Sequence, residues 1–404
     1  MLSFHEKIQR ERTHQLSNRE ITAADRQRFP SIDYKESGRL ADGRILLGPS
    51  QSSARPMDWR YLKFEHKDME NGAISSVALS LDGELLAAAW DDITVTLWRV
   101  KDGLTIQHLE DQGHTDTIWA ISFSPDGKYV ISGSADTTAI VWDVRNGAMA
   151  LRLEGHVEDV MAVTYSPDGA LIATGSTDCS AKIWDSSNGE LLHTFEDLGT
   201  DVRRVIFSRD GTRLAACTDT SVTVWDPHAG TQIANLRGHT SAIWCMAFSP
   251  GGDRIVTGSE DSSARIWDAG TGEELVTFHE HTSSVWSATF SPDGNEVATA
   301  SYDGTVVTCD AWSGERRFEF SDNQMSSVVE TVAYSPENNF IASGGADGNV
   351  RVWNAKTGTF IAEFQGHEEK VKNVTFTPDG WDLVSHADDG TIRAWSVLDA
   401  LRLC

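Results

Sequence analysis

Cysteine, basic charge and long apolar stretches are all scarce in this chain of 404 residues, and each scarcity closes off a class of protein. There are five cysteines, Cys179, Cys217, Cys245, Cys309 and Cys404, with no C-x-x-C pair and no metal-ligand spacing, so neither a disulfide framework nor a zinc module is expected. No apolar leader follows Met1 and no apolar run is long enough to span a bilayer. The expectation is a chain of the cytoplasm or nucleus with reduced thiols and no membrane contact. Lys and Arg number 34 against 60 Asp and Glu, a net charge of −26. The deficit is uneven: residues 1–68 hold 13 basic against 10 acidic residues, and the remainder holds 21 against 50, a net of −29. Such a field disfavours direct contact with nucleic-acid phosphates and favours basic partners, although acids also simply solvate a surface. A Gly-rich phosphate loop, H-E-x-x-H, an EF-hand loop and a basic helix are all missing, so no cofactor, no metal and no enzymatic activity are expected.

What is present is a repeat. The stretch from His114 to Asp143 joins three segments of alternating apolar residues through two turns, Ser124-Pro125-Asp126-Gly127 and the turn at Asp136. The same spacing returns from His156 to Asp185 and from His239 to Asp268. A terminal aromatic recurs at Trp98, Trp142, Trp184, Trp225, Trp267, Trp353 and Trp395, with Cys309 in the sixth place, at intervals of 41 to 44 residues. Six residues before each stands an Asp: Asp92, Asp136, Asp178, Asp219, Asp261, Asp303, Asp347 and Asp389. Three strands cannot bury both faces of a small sheet, so successive copies must stack on one another.

A repeat of this length ending in Trp-Asp resembles the WD40 family, over roughly Met69 to Ser396. The resemblance implies an all-β propeller of eight blades with four antiparallel strands each; seven blades with one peripheral repeat is the alternative. Residues 1–57 read as a polar, mostly disordered arm, in which Phe4 and Ile8 stand at helical spacing and Thr22 could cap a short helix to Phe29. Residues 58–404 read as the propeller. Residues 58–66, an alternating aromatic and aliphatic strand without a unit of its own, look like the closing strand of the last blade; the C-terminal alternative, Val397 to Leu403, lacks a hairpin turn.

The resemblance also implies buried tetrads that staple each blade. Complete sets are His114, Ser132, Asp136 and Trp142; His156, Thr174, Asp178 and Trp184; His239, Thr257, Asp261 and Trp267; and His367, Ser385, Asp389 and Trp395. Repetition of one Ser/Thr, His and Asp set beside a Trp points to structure rather than to hydrolysis, since Trp donates, the hydroxyl relays and an ionised Asp accepts. Four repeats depart: Glu70 and Ala88, Leu198 and Ala216, Cys309, and Met325 stand at tetrad positions.

Function is then expected on the surface. Five residues after each His position, at the start of the innermost strand, come Ser75, Trp119, Met161, Arg203, Trp244, Trp286, Glu330 and Lys372, which family geometry puts around the opening on the top face, with Trp90 on the same face. Aromatic residues and Met favour interface centres, so the expected role is a non-catalytic scaffold holding a basic or extended peptide over Trp119, Trp244 and Trp286, with Asp116 and Asp159 at its rim. The expected form is a monomeric propeller within a larger complex. The alternative is a substrate receptor of a cullin-type ubiquitin ligase, because Trp142-Asp143-Val144-Arg145 resembles the family's W-D-x-R box, which would make Asp143 and Arg145 adaptor contacts.

Overall fold

The innermost strand of each blade is set by the apolar alternation and ended by a tight turn. In blade 2 it is Ile118–Phe123, closed by the turn in which Ser124 Oγ and Asp126 hold each other at 2.8 Å and Gly127 takes φ of 68°. The computed structural model describes residues 34–39, 45–49, 62–67, 73–90, 93–109, 113–320 and 328–402. Eight four-stranded antiparallel sheets follow one another around a ring, which settles the blade count at eight. Strands are named a to d from the axis outward. The eight a strands are Ile74–Leu79, Ile118–Phe123, Val160–Tyr165, Arg204–Phe207, Ile243–Phe248, Val285–Phe290, Val329–Tyr334 and Val371–Phe376.

Blades stack through their flat faces. In strand b the residue after the tetrad hydroxyl is Gly133, Gly175, Gly258 or Gly344 in four blades, because a Cβ there would meet a Val entering the next blade's strand a at 2.4 to 2.8 Å. The other four blades carry Ala89, Cys217, Ala300 and His386 there.

The ring closes within blade 8. Its strand d is Leu62–Lys67, antiparallel to strand c, Thr391–Ser396, with Leu62 opposite Trp395 and Lys67 opposite Thr391. The C-terminus instead turns into a short helix, Val397–Leu401, whose Val397 and Ala400 are buried. Inside the stretch read as an arm, Tyr34–Arg39 and Ile45–Pro49 form a hairpin that is a sheet of its own. The readings placed on Phe4, Ile8, Thr22 to Phe29, residues 58–61, Glu70 and Met325 lie outside the described residues.

In blade 2 the tetrad hydrogen bonds run one way. Trp142 Nε1 donates to Ser132 Oγ at 2.8 Å, the Ser132 hydroxyl donates to His114 Nε2 at 2.8 Å, and His114 Nδ1 donates to Asp136 Oδ2 at 2.9 Å. Blades 3 and 5 repeat the pattern through Trp184, Thr174, His156 and Asp178, and through Trp267, Thr257, His239 and Asp261. Blade 6 keeps His281 on Thr299 and Asp303, with Cys309 where the indole would be.

Blade 8 departs from the expected set. Trp395 and His367 both reach Ser385 Oγ, at 2.8 and 2.7 Å, but His367 Nδ1 meets Thr391 Oγ1 at 2.7 Å and the Arg393 guanidinium at 2.6 Å, with Asp389 at 3.5 Å. Since an arginine only donates, Nδ1 accepts there and Nε2 carries the proton, the reverse of blade 2. Arg393 in turn pairs with Glu65 of the closing strand at 3.0 Å, both side chains 3% exposed.

Burial pushes the His367 imidazole down to about 4, with Arg393 adding to it against Asp389, and burial pushes His386 down to about 3, helped by His367 and Lys372. Both lie below the ordinary value of about 6.5. Between these limits the unfolded chain holds protons that the folded ring does not, so stability is fully present above about pH 6.5 and is lost as pH falls toward 4. Each group contributes a slope of about 1.4 kcal/mol per pH unit. Urea unfolding between pH 5 and 6 should therefore show a steep pH dependence, and His386→Gln should reduce its slope by about 1.4 kcal/mol per pH unit; a slope unchanged by that substitution contradicts the assignment.

Candidate functional site at the top of the channel

The end of the ring where strands a begin opens into an axial cavity of about 750 Å³. All eight residues at the fifth position after the His, from Ser75 to Lys372, line it. The physical reason is a β-bulge. In seven blades the pairing of strands a and b skips one residue between the first and third positions of strand a, for example between Ile118 and Ala120 and between Ile243 and Cys245. The extra residue is Ser75, Trp119, Met161, Trp244, Trp286, Glu330 or Lys372, and the bulge turns it out of the blade toward the axis. Blade 4 is one residue short and has no bulge; Arg203 precedes its strand a.

These residues do not form one uniform surface. Trp244 and Trp286 stack with ring centres 4.4 Å apart and planes within 10°, and Trp286 stacks on Tyr302 at 4.7 Å and 11°. The Arg203 guanidinium lies over Trp244 at 5.9 Å and pairs with Asp219 at 3.1 Å. The ladder is thus complete from Arg203 to Tyr302, and its aromatic faces are already covered. This corrects the expectation of a basic side chain laid over Trp244 and Trp286. Tyr302 was missed because it stands in the b–c turn, one residue before Asp303, where nothing in the repeat marks it.

Two more expected contacts are corrected. Trp90 is fully buried, packed edge-on to Trp98 at 6.3 Å in a cluster with Phe64 of the closing strand and Ile74. Glu330 is also buried, with its side chain 4% exposed, near Lys370 at 3.7 Å and the Tyr302 hydroxyl at 3.5 Å. Lys372 stays exposed and pairs with Asp388 at 3.4 Å.

Across the opening, Trp119 is 39% exposed and its Nε1 donates to Asp159 Oδ2 on blade 3 at 3.1 Å. Met161 is half-buried beside it on the same wall. Asp116 and Glu158 are exposed on these two blades, and Asp197 and Asp201 follow on the approach to blade 4. The last three, with Asp178, raise the Cys179 thiol after burial does so first, which shows how closely the acids gather there. Among the described residues, no Lys or Arg pairs with Asp116, Glu158, Asp159, Asp197 or Asp201.

Asp143 and Arg145 lie at the opposite end of the blade. Asp143 Oδ1 accepts from the Arg145 and Asn146 backbone at 2.8 and 3.3 Å, shaping the c–d turn from which the Arg145 side chain is exposed.

The family model described as WD domain, G-beta repeat matches seven segments, 105–143, 148–185, 189–226, 230–268, 272–309, 314–354 and 358–396. The chain belongs to the WD40 repeat family. The matches begin at residue 105, so they leave out the closing strand and the inner three strands of blade 1, where Ala88 replaces the tetrad hydroxyl, and this WD40 ring holds one blade more than the family model finds. Over 94 residues the chain is 33% identical to a subunit of chromatin assembly factor 1 from Gallus gallus, covering 19% of this chain and 17% of that one. Over 74 residues it is 35% identical to a subunit of eukaryotic translation initiation factor 3 from Saccharomyces cerevisiae, covering 18% and 21%. WD repeat-containing protein 1 of Bos taurus is 30% identical over 116 residues, 28% of this chain and 19% of that one. These matches span about a fifth of each relative's length. A crystal structure of the computationally designed protein Ika8 superposes with a TM-score of 0.71 at 28% identity, covering 82% of this chain and all of that one. WD40 propellers are in general non-catalytic interaction scaffolds. No helix among the described residues is long and apolar enough to cross a membrane.

Proposed function

We propose that the top of the channel over blades 2 to 4 is a docking face for a basic, extended segment of a partner protein. The observation that carries this reading is the exposed Trp119, held by Asp159 and set among carboxylates that pair with no cation among the described residues. An exposed indole offers a cation-π face, and unpaired acids offer charge, so a Lys- or Arg-rich strand would satisfy both at once. Two relatives carry the names of subunits, of a chromatin assembly factor and of an initiation factor, which supports a monomeric ring working inside a larger assembly of the cytoplasm or nucleus. The net charge of −29 beyond residue 68 supports protein rather than nucleic acid as the partner.

Selection from a phage-displayed library of random peptides tests the reading with a defined probe. Peptides that bind the wild-type ring should be rich in Lys and Arg. Trp119→Ala should weaken them by about 2 kcal/mol, as expected of an interface hot spot, while leaving the melting temperature unchanged because the indole already stands partly in solvent. Binding that ignores Trp119→Ala would overturn the proposal.

A further inference from the structure

One level below the bulge residues, the channel wall is neutral and small, with a single exception. Ala120, Ala162, Cys245 and Ser287 occupy this level in their blades, whereas blade 4 places Arg204 there. The Arg204 side chain is exposed to the channel, beside the Cys217 and Cys245 thiols, which burial pushes up to about 12 and about 11 against the opposing pull of Arg204. The other cations at the mouth already have carboxylates: Arg203 with Asp219 at 3.1 Å, Lys372 with Asp388 at 3.4 Å, and Lys370 with Glu330 at 3.7 Å. Among the described residues none pairs with Arg204. The channel therefore holds one uncompensated guanidinium inside an otherwise strongly acidic ring.

We infer that Arg204 receives a carboxylate carried by the docked segment itself, so that the recognised sequence is basic with one acidic side chain at a fixed place. This rests on the reading that a basic segment docks at the mouth. A free small anion would have to approach against the net charge of −29, whereas a carboxylate within a basic strand is drawn in by the rim acids and delivered to Arg204 in the same event. Arginine suits the task because its planar fork takes a carboxylate with two parallel hydrogen bonds. In blade 4, as in the bulged blades, consecutive residues divide between the mouth and the wall below it, here Arg203 and Arg204.

The same library, selected in parallel on the wild type, Arg204→Gln and Arg204→Glu, tests this, with unchanged melting as the check on folding. Wild-type selection should give Asp or Glu at one fixed position among Lys and Arg. Arg204→Gln should lose that position and keep the basic residues, and Arg204→Glu should replace the acid by Lys or Arg. In a selected peptide, changing the acid to its amide should weaken binding to the wild type by about tenfold and leave binding to Arg204→Gln unchanged. Basic peptides without a fixed acid, or a fixed acid that survives Arg204→Glu, would overturn the inference while leaving the docking face in place. A fixed acid without accompanying basic residues would instead overturn the rim reading and sustain the role of Arg204.

Discussion

Removal of the chain up to residue 67 abolishes cooperative unfolding of the ring. The strand lost, Leu62–Lys67, is among the described residues the partner on the outer side of strand c in blade 8, and without it that strand becomes an open edge. Leu62 and Phe64 are 6% and 2% exposed, and fully burying a side chain of either kind stabilises by about 1.5 to 3 kcal/mol. Phe64 belongs to a cluster with Ile74, Trp90 and Trp98 of blade 1, and Gly103 of blade 1 sits so close above it that a Cβ there would come within 2.8 Å. The strand therefore holds blade 8 to blade 1 as well as completing blade 8. Lys63 adds an ion pair to Asp382 at the same end. Thermal unfolding of the truncated chain, followed by circular dichroism, should lose its single transition; an unchanged transition would show that the ring closes by other means.

Arg393→Ala costs about 3 to 5 kcal/mol, the second large effect. The guanidinium is buried between Glu65 on the closing strand and His367, Thr391 and Asp389 of the tetrad. Deleting it leaves the Glu65 carboxylate, 3% exposed in its side chain, without its cation, and stranding one partner of a buried pair is far more costly than the pair is worth intact. Glu65→Ala combined with Arg393→Ala should consequently lose less than the sum of the two single changes. The exposed pair Arg402–Asp399 at 3.1 Å serves as the comparison, and breaking it should cost no more than about 1 kcal/mol. Urea denaturation of the four variants checks all of this, and additive losses for Glu65 and Arg393 would contradict the coupling.

The sequence carries the ring because the repeat does. An Asp in phase eight times, with alternating apolar residues before it, forces stacked blades, and even blade 6 with Cys309 or blade 4 with Ala216 keeps the strand pattern that packs its neighbours. Blade 1 was legible as a repeat although it lacks the His and Ser, since Asp92 and Trp98 keep the register. The channel mouth was legible only as a set of positions. Those positions line the cavity because a bulge turns them inward, and the sequence marks it only as a three-residue step between buried residues, Ile118 to Ile121, where alternation gives two. What each side chain does there depends on neighbours distant in the chain: Trp286 stacks between Trp244 of blade 5 and Tyr302 of its own b–c turn, Trp119 meets Asp159 across an interface, and Trp90 packs against Trp98 in a cluster with Phe64 of the closing strand. The same holds for Arg393, which reads as an ordinary strand residue until the closing strand brings Glu65 against it from 328 positions away.

Amide hydrogen exchange of the full chain with and without a library-selected basic peptide tests the docking face most directly. The expected result is slowed exchange in the segments that enter strand a of blades 2 to 4, around residues 113–119, 156–161 and 196–203, with the c–d turns at the other end of the ring unchanged. Protection centred instead on the turn at Asp143 and Arg145, or peptide binding that leaves residues 113–119 untouched, would contradict the assignment of the channel mouth as the site where this propeller meets its partner.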